Sequence, residues 1–355
     1  MLLAVGGWTE DTDDVTAEAE GLRCLVFQRE TGEVKLLFTA GLTQPTFVTT
    51  GPADGNTCYV TRECTRTAGA GVGAFQVVNL PGGGYDLHEL GYVDVPCDEP
   101  CHLAVSPDRR SLYVACYGSG NLLNYALESD GRIGELRQDL QHSGSGPHPR
   151  RQEAPHAHCT LVDSKRSLLY QSDLGTDQIY VYRIGPDGLL TQRPEWTVNT
   201  PPGAGPRHFC PCPQQEFLFL ISELKPIVSV YRLTATGPEE HQHLTYLSTD
   251  SAKGSAIAAS PDGLFVYAGE RSENIIAVFE FTPATGRLSL LERVTTHGEV
   301  PRDIILSPDG KWLIVANQDS HDLCFFSRDT ASGRLRYSHR YDNIGSPAGL
   351  WWVGV

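Results

Sequence analysis

Ser260-Pro261-Asp262-Gly263, followed by Phe265-Val266-Tyr267-Ala268, reads as a tight turn feeding a buried strand. The phrase recurs. Ser106-Pro107-Asp108 precedes Leu112-Tyr113-Val114-Ala115, and Ser307-Pro308-Asp309-Gly310 precedes Trp312-Leu313-Ile314-Val315. Proline presets φ and Asp or Gly tolerates the turn, so each copy predicts a hairpin. Weaker copies are Gly51-Pro52-Ala53-Asp54-Gly55 before Cys58-Tyr59-Val60, and Val162-Asp163 before Leu168-Leu169-Tyr170.

Beyond each turn runs an alternating segment such as Ile179-Tyr180-Val181-Tyr182, Val228-Ser229-Val230-Tyr231 or Ile276-Ala277-Val278-Phe279. A second turn follows at Gly131-Arg132-Ile133, Gly188-Leu189, Gly286-Arg287-Leu288 and Gly333-Arg334-Leu335. Each unit thus supplies four strands in roughly 45 to 55 residues, the period of propeller blades. Unit openings at Pro45, Pro100, Pro155, Pro206, Gly254, Pro301 and Pro347 predict seven of them. The last opening has no hairpin after it, and the first unit lacks an opening strand. One blade built from both termini repairs both defects and leaves no open sheet edge. The expectation is an all-β, seven-bladed propeller of four-stranded antiparallel blades, one domain over residues 1–355. Gly69–Gly84 and Gln141–Gln152 read as loop insertions.

A net charge of −15 argues against nucleic acid and anionic membranes as partners. An anionic ligand would need a local cationic site. Ten cysteines are scattered without C-x-x-C spacing, which argues against zinc and predicts ten free thiols. Met1–Trp8 lacks the parts of a signal peptide and reads as a strand, and no segment is long enough to span a membrane. The balance predicts a cytoplasmic monomer or weak homo-oligomer that uses no metal or other cofactor.

In a propeller the first strand of each blade lines the central channel. The residue after each opening is Thr46, Cys101, His156, Arg207, Ser255, Arg302 or Ala348. His158 shares a strand face with His156. A second slot, at the turn after the second strand, holds Tyr117, Asp173, Glu223, Arg271 and Gln318. His208 should point the other way along its strand, between blades. An arginine in such a channel can simply plug it through a salt bridge. A His, two Arg and a Glu at one mouth instead make a functional-site candidate.

Arg151-Gln152-Glu153-Ala154-Pro155-His156-Ala157-His158, Asp173-Leu174-Gly175-Thr176-Asp177-Gln178, Gly203-Ala204-Gly205-Pro206-Arg207-His208, Ser222-Glu223-Leu224 and Pro301-Arg302 resemble the propeller lactonase family. Its members include bacterial-type 6-phosphogluconolactonases and fungal carboxymuconate lactonising enzymes. The likeness runs from about Pro100 to the C terminus and is weaker over the first two blades. It implies catalytic roles for His156 or His158, Arg207, Glu223 and Arg302. Arg151, Asp173, Arg271 and Gln318 are the further substrate-contact candidates. The implied reaction is hydrolysis of a small anionic sugar lactone, 6-phosphogluconolactone to 6-phosphogluconate of the pentose phosphate pathway.

Such hydrolysis needs a base for water and donors for an oxyanion, and arginine supplies fixed charged donors. Either Glu223 or a histidine could be the base. Lactonisation of a carboxylated diene acid would use the same parts. A scaffolding propeller would have no convergent ionisable groups at its mouth.

Overall fold

Each Ser-Pro-Asp turn closes on its own serine. Ser260 Oγ donates to Asp262 Oδ1 (2.5 Å) and accepts the Phe265 N–H (3.0 Å). Ser106 Oγ accepts the Ser111 N–H and Ser307 Oγ the Trp312 N–H. The turn therefore pins the first residue of the second strand in these three blades. The structure, a computed structural model, describes residues 1–51, 56–80, 84–214, 216–249 and 251–353. The weak turn copy at 52–55 lies outside them.

Seven antiparallel sheets result. Blade five is typical, with strands Pro206–Pro211, Phe217–Ser222, Ile227–Thr234 and Gly237–Thr245 in sequential order. The middle strands are almost wholly buried and the outermost alternate toward solvent. Faces of adjacent blades form the cores. Phe219, Ile221 and Val230 of blade five pack with Ile257, Val266 and Phe279 of blade six.

Ser346–Val353 pairs with Leu2–Trp8, which pairs with Leu22–Phe27, so blade one joins both ends of the described chain. Trp352 and Leu350 pack against Leu3, Val5 and Phe27 in that closure. Among the described residues no helix is long and apolar enough to cross a membrane.

Two expectations need correction. Gly69–Gly84 is not a plain loop: Gly71–Asn79 is a nine-residue strand of blade two, its glycines accommodated beside Phe75 and Tyr92. The ten thiols are not all free, because Cys97 and Cys116 form a disulfide. Cys97 precedes the strand Pro100–Val105, and Cys116 ends the strand paired with it. Strand pairing brings them together across 19 residues, a spacing that marks no local motif. The remaining eight cysteines are free.

The first strands carry a feature that sets the site. In blades three, four, five, six and seven the register slips just after the opening, between Pro100/His102, Ala157/Cys159, Pro206/His208, Gly254/Ile257 and Pro301/Asp303. A bulge re-aims the side chain it releases.

Candidate active site

The bulges define which residues are equivalent. Pro206 pairs with Ser222, Pro301 with Asn317, Pro100 with Cys116 and Ala157 with Asp173. The slot of Arg207 and Arg302 in blade four is therefore His158, not His156. A strand beginning at Ala157 rather than Pro155 moves the sequence assignment by two residues.

The second slot is fixed in the same way by one repeated backbone bond. The N–H of Glu223 donates to Gly205 O (2.7 Å), Tyr117 to Glu99 O, Leu174 to His156 O, Arg271 to Lys253 O and Gln318 to Val300 O. Glu63 makes that bond to Gln44 O (3.1 Å) and is the blade-two member. Four acceptors, Gln44, Glu99, Gly205 and Val300, have φ between 48° and 64°. For β-branched Val300 this is a strained conformation, held by the fold at the channel mouth.

Glu223 sits at the centre of the site. Its Oε1 accepts from Arg151 Nη2 (2.5 Å) and its Oε2 from Arg207 Nε (2.9 Å), and Oε2 forms an ion pair with Arg271 Nη2 (3.1 Å). His158 Nε2 lies 3.9 Å from Oε2. Burial pushes the Glu223 carboxyl up, but Arg271, Arg151 and Arg207 outweigh it and hold it well below the usual carboxylate range. Arg207 is almost fully buried. Burial first, then repulsion from Arg302, push it down to about 9, against the pull of Glu223. Its Nη1 also donates to Ser255 O (2.6 Å) and to His208 Nε2 (3.2 Å). Arg207 is thus a rigid, charged donor at neutral pH.

The other candidates separate. Arg151 also donates to the Tyr117 hydroxyl (2.9 Å), and Tyr117 stacks on His156 at 4.7 Å. His156 stands at the rim, where its Nδ1 donates to Tyr117 O (3.0 Å) and its Nε2 faces Glu153 (3.2 Å). His158 is inside the channel. Burial and then Arg207 hold it neutral, well below its usual range, and its Nδ1 has no partner among the described residues. Arg302 lines the same channel with its guanidinium 5.9 Å from the Trp8 ring, and makes no hydrogen bond or ion pair among the described residues.

Asp173 and Gln318 do not join this group. Asp173 is wholly buried. One of its oxygens takes the N–H groups of His156 and Thr176, and the other faces His142 at 2.6 Å. It fastens the 142–156 loop, a correction to its assignment as a substrate contact. Gln318 gives its amide to Asp319. His208 is a further correction: the bulge at Arg207 turns it to the channel, 5.1 Å from His158 and 5.6 Å from His102, and burial beside Arg207 keeps it neutral.

A cavity of about 20 Å³ opens in the channel between Glu63, His158, Arg207, His208, Arg302 and Asp303. A larger depression of about 460 Å³ lies at the other ends of the strands, near Arg29, Lys311 and Asp329. Its buried Arg328 is already paired to Asp262 (2.8 Å), so volume alone does not make it a site. Sequence reasoning placed Tyr117 in the second slot without its contact to Arg151, and it missed Glu63. The latter had a usable signal: Glu63 directly follows the strand Thr57–Arg62 as Glu223 follows Phe217–Ser222.

Comparison with known proteins is consistent with this geometry. Residues 3–353 match a family model described as lactonase, 7-bladed beta-propeller. The 6-phosphogluconolactonase of Bacillus subtilis is 34% identical over 301 residues, 83% of each chain. That of Formosa agariphila is 27% identical over 330 residues, 89% of this chain and 90% of its own. The structure of the Pseudomonas aeruginosa periplasmic gluconolactonase PpgL superposes with a TM-score of 0.91 at 29% identity, covering 99% of both chains.

Proposed function

The chain belongs to the seven-bladed β-propeller lactonase family, and from that premise we propose that it hydrolyses 6-phosphogluconolactone to 6-phosphogluconate at the channel mouth. The observation that carries this reading is the convergence of three arginines on one carboxylate, with a fourth lining the same channel, in a protein of net charge −15. Arg151, Arg207 and Arg271 touch Glu223, while Arg302 stands beside them with no ion pair among the described residues. The excess of positive charge, set in low-dielectric walls, favours an anionic ligand that the rest of the surface repels.

The arginines divide by their surroundings. Arg207, locked by Glu223, Ser255 and His208, cannot swing to meet a mobile group. It is suited to an oxyanion that develops at a fixed point. Arg302 has its guanidinium free for the phosphate, where a bidentate fork adds specificity. Glu223, with both oxygens occupied and its affinity for protons suppressed, orients the cations rather than accepting a proton. His158, neutral and with an unpartnered Nδ1, can orient water or the ring oxygen.

A second reading, hydrolysis of an unphosphorylated sugar lactone in an oxidising compartment, is favoured by the Cys97–Cys116 disulfide and the likeness to the periplasmic gluconolactonase. The experiment that decides is acid release from 6-phosphogluconolactone and from gluconolactone, each measured against its spontaneous rate. Preference for the phosphorylated lactone supports the first reading, and preference for the neutral one the second. No acceleration of either would refute both.

A further inference from the structure

Glu63 and Glu223 hold the same position in blades two and five, fixed by the same backbone bond to the residue that precedes the first strand. Their surroundings are opposite. Glu223 is clamped by three guanidiniums. Glu63 touches none among the described residues: its carboxylate accepts from the Thr46 hydroxyl and otherwise faces the channel cavity. That cavity, about 20 Å³, has room for a water molecule, and its walls are polar enough to hold one.

We infer that Glu63 is the general base of lactone hydrolysis, drawing its proton from a water seated in the channel cavity, with Glu223 serving as the anchor of the arginines. The inference rests on the lactonase reading above. The other acids and bases of the cavity are unsuited. Both oxygens of Asp303 are tied to backbone, one to the Leu350 N–H (2.7 Å) and one to the Ile304 N–H (2.9 Å). His158 and His208 are kept neutral far below their usual range by burial and by Arg207. Glu223 has no oxygen to spare.

The groups facing Glu63 come from several blades. Arg302 and Asp303 approach from blade seven, Arg207 from blade five, His158 from blade four, and Cys101 and Glu99 from blade three and the turn before it. Burial raises the Glu63 carboxyl to about 7, while Arg302, Thr46 and Arg207 act to lower it and Glu99 to raise it. A carboxyl so placed exists in both forms at neutral pH, the condition for moving a proton in either direction.

The step balances without a further reactant. The water O–H bond breaks, and its proton passes to the Glu63 carboxylate as the oxygen bonds to the lactone carbonyl carbon. The carbonyl electron pair moves onto its oxygen. Collapse of that oxyanion breaks the bond from carbon to ring oxygen, which takes the bonding pair and the proton from Glu63. The new carboxylic acid then ionises to solvent.

The test compares wild type, Glu63→Gln and Glu63→Asp on 6-phosphogluconolactone from pH 5.5 to 8.5, with folding checked by thermal melting. The wild-type kcat is expected to rise through one ionisation near 7. Glu63→Gln should lower kcat about 100-fold or more and abolish that rise, with KM changed less than about threefold. Glu63→Asp should keep a rise of smaller amplitude. Carboxyl infrared spectra of wild type minus Glu63→Gln report the titration of Glu63 directly, near 7, and need no turnover. A folded Glu63→Gln that retains both kcat and its pH dependence overturns the inference, as does a Glu63 band ionised throughout. Wild type inactive at every pH would instead refute the lactonase reading and remove the base role with it.

Discussion

Replacing Glu223 by Gln keeps the shape of the side chain and withdraws one negative charge from among three guanidiniums. Among the described residues, Glu223 is the only carboxylate that Arg151, Arg207 or Arg271 touches. Removing it leaves Arg207 and Arg271 desolvated and facing one another, with Arg302 adding repulsion. Removing one partner of a buried pair costs about 3–5 kcal/mol, and here the remaining charges are all of one sign. Arg271→Gln perturbs the same contact from the other side but leaves Glu223 with two cations, so its cost should stay under about 2 kcal/mol.

Urea unfolding at pH 7, followed by tryptophan fluorescence, measures both. Inorganic phosphate should stabilise Glu223→Gln more than wild type, because an anion can replace the lost charge. The sign with pH is also fixed. Glu223 has a depressed carboxyl, so its contribution is present above the unfolded value of about 4.5. It fades as pH falls through the folded value, and the gap between variant and wild type should close in acid. A Glu223→Gln protein within 1 kcal/mol of wild type, or an Arg271→Gln protein equally damaged, would refute the anchor role.

Arg207→Lys should lower kcat about 100-fold with little change in KM, because a single ammonium cannot reproduce the fixed fork at the oxyanion, whereas Arg302→Lys should mainly raise KM; equal effects on both parameters in both variants would contradict the division. Ending the chain at Gly345 removes the strand that closes blade one and exposes the Leu3, Val5 and Phe27 cluster, so the cooperative melting transition should be lost; an unchanged transition would show that closure is dispensable. Glu63 has its carboxyl raised from 4.5 to about 7, so its contribution to stability is full below pH 4.5 and lost as pH rises through 7. Glu63→Gln should therefore gain on wild type between pH 5 and pH 8, by at most about 3 kcal/mol, and a constant difference across that range would refute the burial of this charge.

The repeat itself was legible in the chain. Ser-Pro-Asp turns, alternating strands and an unmatched strand at each end are local facts, and local facts suffice when each blade is one hairpin pair stacked on its neighbours. The same repetition exposed Arg207, Glu223 and Arg302, because equivalent positions around an axis converge. What the sequence could not show was the register. The bulges in the first strands of blades four and five decide that His158 enters the channel while His156 stays at the rim, and that His208 turns inward. Asp173 and Leu174 differ by a single residue, yet one fastens a buried loop and the other holds the slot of Glu223. The Cys97–Cys116 bond needed two strands to be paired before its thiols could meet. Strand side chains alternate with period two, so an offset of one residue exchanges inside for outside. Propensity and pattern place strands to within a residue or two, and only the tertiary hydrogen bonds fix that last residue.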